Sequence, residues 1–198
     1  MITMPPDMNM RFFKLRIGKS WIHTKIKSTS ELQTLIEKYK PDDVYFSVST
    51  WVCADKVEKK YHENGKLINN IMTGSMMVID IDAKDFHNKT TDEAFFEMLN
   101  IKEQLERLGL YDNKFVFTGG GYHIWVQDWE RLFIKKKIKN AKQRYRYYEY
   151  KRRKFVNILK QKGLVFDHTI SLDNHRIVRL PGTIHGKSGK LCEIILPA

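Results

Sequence analysis

Alternating apolar and polar positions run through most of the chain, and their period switches between two and nearly four in a readable order. Residues 11–17 (RFFKLRI) and 21–26, separated by Gly18, predict a short β-hairpin. Ser28 followed by Glu31 has the spacing of a capping box, and Leu32, Leu35, Ile36 and Tyr39 form one helical stripe that stops before Pro41. Residues 44–48 (VYFSV) predict a strand. Residues 50–75 are mostly polar, with Gly65, Asn69, Asn70 and Gly74, and predict a long excursion in the form of a loose hairpin. It leads into residues 76–82 (MMVIDID), an apolar run with polar flanks that predicts a buried central strand. On that strand Met76, Val78, Asp80 and Asp82 share one face, and Met77, Ile79 and Ile81 share the other.

Thr90 with Glu93 predicts a second capped helix, carrying Phe95, Phe96, Leu99, Leu105 and Leu108 and ending at Gly109. Strands at 114–117 and 122–126 flank the turn Thr118-Gly119-Gly120-Gly121. A long basic helix over 131–162 closes on Gly163, and short strands follow at 164–166, 176–178 and 191–195. Strand, helix, hairpin, helix, strand is the order of a ferredoxin-like unit. The predicted class is therefore α+β: a single domain over 1–198, with an N-terminal α/β module over 1–75 and a ferredoxin-like half over 76–198.

Composition narrows the setting. A hydrophobic content of 42% with 12% aromatics excludes disorder as the main state. The net charge of +12 is uneven: between Arg131 and Lys154 stand twelve Lys and Arg against the single Glu149. Such a block points to a polyanionic partner. Its cations alternate with Tyr145, Tyr147, Tyr148 and Tyr150, a pairing of phosphate contacts and stacking surfaces suited to single-stranded nucleic acid. Equally, the tyrosines can pack inward behind a charged outer face. Lys135, Lys136, Lys137, Lys139, Arg144 and Arg146 are the candidate nucleic-acid contacts. No export signal or span-length apolar run is visible, and two cysteines are too few for a disulfide framework, so a reducing, cytoplasmic setting with no membrane partner is expected.

Three stretches can carry chemistry. Two carboxylates on one face of a strand end, Asp80 and Asp82, repel each other unless a cation lies between them. The triple glycine before Tyr122 and His123 permits close backbone approach, and its N–H groups can line an anion-binding concavity; an ordinary glycine-rich hairpin turn fits as well. It is neither a P-loop nor a dinucleotide fingerprint. Residues 167–190 gather Arg176, Arg179, His185, Lys187 and Lys190 on Gly- and Pro-punctuated backbone, a set suited to a triphosphate. Asp167 opens that stretch straight after an apolar triplet, and a pair of acids plus one from a neighbouring strand is a natural frame for a two-metal site. The remaining histidines show no zinc spacing.

In this order the three stretches resemble the archaeo-eukaryotic primase superfamily, the catalytic small subunit of primases and its primase-polymerase relatives. The family's DxD at a strand end is matched by Asp80-Ile81-Asp82. Its small hydroxyl residue, glycines and His are matched by Thr118-Gly119-Gly120-Gly121-Tyr122-His123, with Thr where many members have Ser. Its Asp before a basic RLPG-x-x-HGK segment is matched by Asp167 and by Arg179 through His185 to Lys187. The likeness covers roughly residues 43–195.

The resemblance implies an RRM-like catalytic half and template-dependent nucleotidyl transfer, with attack on the α-phosphate and release of pyrophosphate. Two ions, Mg2+ or Mn2+, would be held by Asp80, Asp82 and Asp167. Thr118, Gly119, Gly120 and His123 would meet the nucleotide, and Arg176, Arg179, His185 and Lys187 its triphosphate. Expected partners are single-stranded DNA template, primer–template duplex, NTP or dNTP, and a primase large subunit or a helicase, in an archaeal, plasmid or viral replication setting. Larger relatives carry a cysteine-rich zinc module that two cysteines cannot build, so no structural zinc is expected. A gap-filling or end-joining repair polymerase would share every motif, and a non-catalytic nucleic-acid-binding primase subunit is the reading of a different class.

Overall fold

Strand pairing in the computed structural model, which describes residues 2–57 and 71–195, is antiparallel throughout. The first sheet has the order β2-β1-β3-β9, built from β1 (Phe12–Ile17), β2 (Ser20–Lys25), β3 (Asp43–Ser47) and β9 (Ile177–Arg179). The second has the order β10-β7-β8-β6, from β6 (Met77–Asp82), β7 (Asn113–Phe117), β8 (Gly121–Val126) and β10 (Glu193–Ile195). A small ribbon pairs β4 (Ser49–Trp51) with β5 (Met72–Ser75), the two ends of the expected loose hairpin; its middle, residues 58–70, lies outside the described residues.

The alternation expected of residues 76–82 holds and explains the layering. Met76 and Val78 enter a core shared with Phe13, Leu15, Val44, Phe46, Val116 and Trp125, which joins the two sheets. Within it Phe46 meets Trp125 edge-on at 5.3 Å, one ring from each sheet. Met77, Ile79 and Ile81 face a second core filled by the helices α2 (Thr91–Arg107) and α3 (Ala141–Lys160). The strand is not central as expected: β6 lies at the edge of its sheet, paired only with β8 among the described strands. Both of its faces are nevertheless covered, so it needs apolar residues at every position until its end, where its acids stand. Because β9 pairs with β3, residues from late in the chain complete the first sheet.

Local signals at helix starts are borne out. Ser28 caps α1 (Thr29–Tyr39) by accepting from Glu31 N at 3.1 Å, while the Glu31 carboxylate reaches back to Lys27 N at 2.7 Å. Thr90 and Glu93 form a full capping box on α2. The face that α2 buries is centred on Ala94, Met98, Ile101 and Leu105; of the expected stripe Leu105 is buried, Phe95, Leu99 and Leu108 pack partly buried beside it, and Phe96 is 69% exposed. Positions 94, 98, 101 and 105 are four, three and four apart and so share one helical face, from which Phe96 points away.

Three further expectations need correction. The basic segment is not one helix over 131–162. A short 3-10 turn, Trp129–Leu132, is followed by irregular backbone, and α3 begins only after its cap Asn140, whose side chain accepts from Gln143 N at 3.0 Å. Residues 164–166 form no strand; they lead into the helix α4 (His168–Leu172), which periodicity did not suggest because it is too short to show a period. The last two strands also start one or two residues later than expected.

The basic helix contains a charge that never reaches solvent. Arg152 is fully buried and donates to Asn174 Oδ1 at 2.8 Å, Ser171 O at 2.8 Å, Met76 O at 2.7 Å and the Ser75 hydroxyl. Burial pulls its guanidinium down to about 10, still charged at neutral pH. It fastens the segment after α4 to the start of β6. Replacing Arg152 with Met leaves four buried acceptors without this donor. The expected cost is about 3–5 kcal/mol, read as a lower urea midpoint at unchanged slope; a loss below about 1 kcal/mol would contradict this role.

Candidate active site

Asp80 and Asp82 lie at the end of β6, where its neighbour β8 begins. Register sets Asp80 directly opposite His123 and Asp82 opposite Gly121, and directly opposed residues share a face. His123 Nε2 accordingly lies 3.3 Å from Asp80 Oδ1. Burial by itself pushes the Asp80 carboxyl up, but His123, Arg176 and Lys84 outweigh it and hold the group below its ordinary value. Asp80 therefore stays ionised in a nearly buried position.

The glycine turn acts through close approach. A Cβ at Gly121 would stand 2.3 Å from Ile81 O, so only glycine lets β8 lie this near the acidic strand end. Gly119 has φ +96°, and a Cβ there would come within 2.9 Å of His185 Cβ and Ser188 Oγ. The second and third motifs thus pack on each other through a position that has no side chain. Gly120 accepts from Ala83 N at 3.4 Å, and Thr118 donates its hydroxyl to Gly121 O at 3.1 Å.

One cleft gathers most of the expected residues. Asp80, Asp82, Thr118, Gly120, Gly121, His123, Arg176, Arg179 and His185 line it, together with Tyr45 of β3. Two buried nitrogens in it, His123 Nδ1 and Arg176 Nε, have no hydrogen-bond partner among the described residues. His185 accepts from Ser188 N at Nδ1 (3.0 Å), which leaves Nε2 to carry its proton. Burial and the neighbouring Arg179 push that imidazole below its ordinary value. Lys187 is exposed and stands outside the lining.

Asp167 reaches the same strand by its backbone: its N–H donates to Asp80 O at 2.8 Å. Its carboxylate caps α4 by accepting from Ile170 N at 3.0 Å. The Asp82 carboxylate is met by Lys84 Nζ at 2.7 Å and Lys84 N at 3.2 Å. As arranged, no three or more His, Cys, Asp or Glu side chains form a metal-binding group among the described residues. In chemistry the donor set fits: carboxylate oxygens on adjacent backbone suit hard divalent ions such as Mg2+ and Mn2+. A fourth acid, Asp85, belongs to this neighbourhood and was not singled out by the sequence pattern. Burial raises its carboxyl, and Asp82, Asp167 and Asp80 add to the rise against the pull of Lys84.

Asp43 is the other residue that the pattern did not reveal. It is buried at the start of β3 and binds Arg16, Arg179 and Gly186 N (2.9 Å) at once. Arg179 also donates to Tyr45 Oη at 3.0 Å and lies 4.9 Å over the Tyr45 ring. The guanidinium expected to grip a triphosphate is thus held at the cleft wall by a carboxylate. Only the doublet Asp42-Asp43 ahead of an apolar strand hinted at this, and such a doublet is ordinarily a solvated turn.

The basic block divides. Lys135, Lys136, Lys137, Lys139 and Arg146 are exposed, and Arg144 donates to Thr73 O at 3.0 Å. Lys151 is buried against Glu130, 4.2 Å over the Tyr148 ring. Tyr148 packs in the core, as the inward-packing expectation has it, and Tyr150 is exposed.

Burial pushes the Asp43 carboxyl up, but Gly186 N–H, Arg179 and Arg16 outweigh this and hold it below its ordinary value. A depressed carboxyl contributes stability that is complete above its unfolded value and is lost as pH falls through the folded one. The window is therefore below about pH 4. Asp43→Asn is expected to cost about 3–5 kcal/mol at pH 7 and to flatten the acid limb of unfolding free energy against pH. Parallel acid limbs for the two proteins would refute the linkage.

No family model matches the chain. It is 25% identical over 217 residues to the DNA primase small subunit PriS of Pyrobaculum calidifontis, covering 89% of this chain and 67% of that protein. To the DNA primase small subunit PriS of Archaeoglobus fulgidus it is 23% identical over 231 residues, covering 84% of this chain and 65% of that protein. The chain thus spans about two thirds of the length of these curated relatives. Over most of its length it resembles the DNA primase small subunit of the archaeo-eukaryotic primase superfamily, to which its three motifs point.

Proposed function

We propose that this chain carries the catalytic core of a DNA primase-type nucleotidyltransferase, joining nucleotides on a DNA template. The observation that carries the reading is the meeting of three distant stretches in one cleft: acids from β6, a glycine turn with His123, and Arg176, Arg179 and His185 from the C-terminal segment. Acids on one wall and cations on the other are what a nucleoside triphosphate requires. The Arg176 Nε–H, buried without a partner among the described residues, is a donor available to a phosphate oxygen, and His123 Nδ1 is a second where that nitrogen carries a proton.

In this reading Asp80, Asp82 and Asp167 hold two divalent ions, Mg2+ or Mn2+, which when bound activate the attacking hydroxyl and stabilise charge at the α-phosphate and leaving pyrophosphate. The chain's own groups orient and neutralise. Asp43 and Tyr45 fix the Arg179 fork so that little freedom is lost when a phosphate arrives. The β6–β8–β7 neighbour order, with the Asp167 N–H bond beside β6, supports an RRM-like second half whose fourth strand is reduced to that contact. Single-stranded template, primer–template duplex and a large subunit or helicase are the proposed partners, with exposed Lys135, Lys136, Lys137 and Lys139 on template or primer phosphates.

A non-catalytic nucleic-acid-binding subunit is the rival that one observation favours, the engagement of Asp82 by Lys84 and of Asp167 by its helix. Labelled nucleotide incorporation on single-stranded DNA, with and without primer and with Mg2+ or Mn2+, separates the readings. Incorporation without primer is expected; dependence on primer favours gap-filling or end-joining repair, and DNA binding with no incorporation favours the rival. Asp80→Ala with Asp82→Ala is expected to cut incorporation at least about 10²–10³-fold while leaving DNA affinity within about twofold by electrostatic arithmetic. Replacing Lys135, Lys136, Lys137 and Lys139 with Ala is expected to reduce the slope of log affinity against log salt by up to roughly 3. An unchanged slope would remove them from the DNA interface.

A further inference from the structure

The outward face of the first sheet continues the cleft. Register places Trp21 opposite Arg16, Arg16 opposite Asp43, and Tyr45 opposite both Lys14 and Arg179. Residues paired in this way share a face, and here it is the side away from Phe13, Leu15, Val44 and Phe46, which fill the core between the sheets. On this face Arg179 lies 4.9 Å over Tyr45, and the Tyr45 ring lies 5.7 Å from Trp21 at 44°. A track of guanidinium, phenol and indole therefore runs from the cleft wall towards the β1–β2 turn.

Trp21 is 45% exposed, whereas Trp51, Trp125 and Trp129 are no more than 1% exposed. A scattered surface indole needs no explanation. This one is seated against a ring that itself lines the cleft, with the half-exposed Arg16 opposite and exposed Lys19 two residues away. An aromatic platform flanked by cations is the arrangement that takes a base on its π-face and the attached phosphate on the charge. Folding gains nothing from leaving the outer face of so large a side chain in water.

We infer that Trp21 is a stacking platform for a nucleobase entering or leaving the cleft, supplied by a bound DNA strand or by the incoming nucleotide. The inference rests on the nucleotidyltransferase reading and extends it to a subsite that the three motifs do not contain. Arg16 and Lys19 meet phosphate beside it, and Tyr45 keeps the indole in place.

With the other three indoles buried, ligand-dependent fluorescence change in the full chain reports on Trp21. Oligothymidylate, deoxythymidine triphosphate and base-free tripolyphosphate are titrated separately, with binding of the labelled oligonucleotide followed in parallel by anisotropy. Quenching by a base-bearing ligand and none by tripolyphosphate is expected. Quenching by the oligonucleotide alone assigns the base to the strand, and quenching by the triphosphate as well assigns it to the nucleotide. Trp21→Phe should abolish the quenching and keep affinity within about threefold, and Trp21→Ala should weaken binding ~5- to 100-fold. Quenching by the triphosphate alone likewise assigns the base to the nucleotide. If the base-bearing ligands bind and neither quenches, if tripolyphosphate quenches equally, or if Trp21→Ala binds the quenching ligand as the parent does, the platform is overturned and the nucleotidyltransferase reading stands. If neither base-bearing ligand binds, both fall.

Discussion

A carboxylate taken out of water must be met by positive charge or hydrogen-bond donors, and two such carboxylates hold this molecule's cleft together. Asp43 at the start of β3 draws in Arg16 from its own sheet and Arg179 and Gly186 N–H from the far end of the chain. Asp80 near the end of β6 is balanced chiefly by His123 across the strand pair, with Arg176 and Lys84 adding to it. In each case part of the balancing charge comes from residues 176–186, so neutralising the acids also closes the cleft. The same ion pairs that stabilise the fold therefore set where the cations stand.

Absent side chains matter as much as charged ones. The acidic strand end and the glycine turn are in such close contact that a Cβ at Gly121 would overlap Ile81 O, and Gly119 does the same for the loop that carries His185. Close approach of backbone to backbone brings the acids, His123 and His185 to one cleft. A single methyl group at Gly121 would push β8 from β6 at the point where the candidate chemistry lies.

The positive charge of the chain has two uses that net charge alone does not separate. Arg152 and Lys151 lie inside the protein, the first bonded to backbone and side-chain oxygens, the second caged by aromatic rings and Glu130. Both are structural. The lysines of residues 135–139 stand on irregular backbone ahead of α3 and remain exposed. A cluster counted as one basic helix in the sequence is thus a helix anchored by Arg152 and Lys151, with Lys142, Arg146, Arg153 and Lys154 exposed along it, joined to an exposed polycationic strap. Among the described residues no helix is long and apolar enough to cross a membrane.

Residue order alone determined much of this protein: the helix caps at Ser28 and Thr90, the two-sided burial of β6, the shared face of Asp80 and Asp82, and the membership of the cleft through the second and third motifs. These are legible because alternation and capping act over a few residues, and the neighbours that decide them are adjacent in the chain. Tertiary structure decided the rest. The partner of Arg179 is an acid 136 positions earlier; Arg152 turns inward because Asn174 and the start of β6 await it; Trp21 gains its meaning from a ring on another strand. A basic residue reads the same in sequence whether it faces water or a buried oxygen, since its solvation is a property of what folds against it.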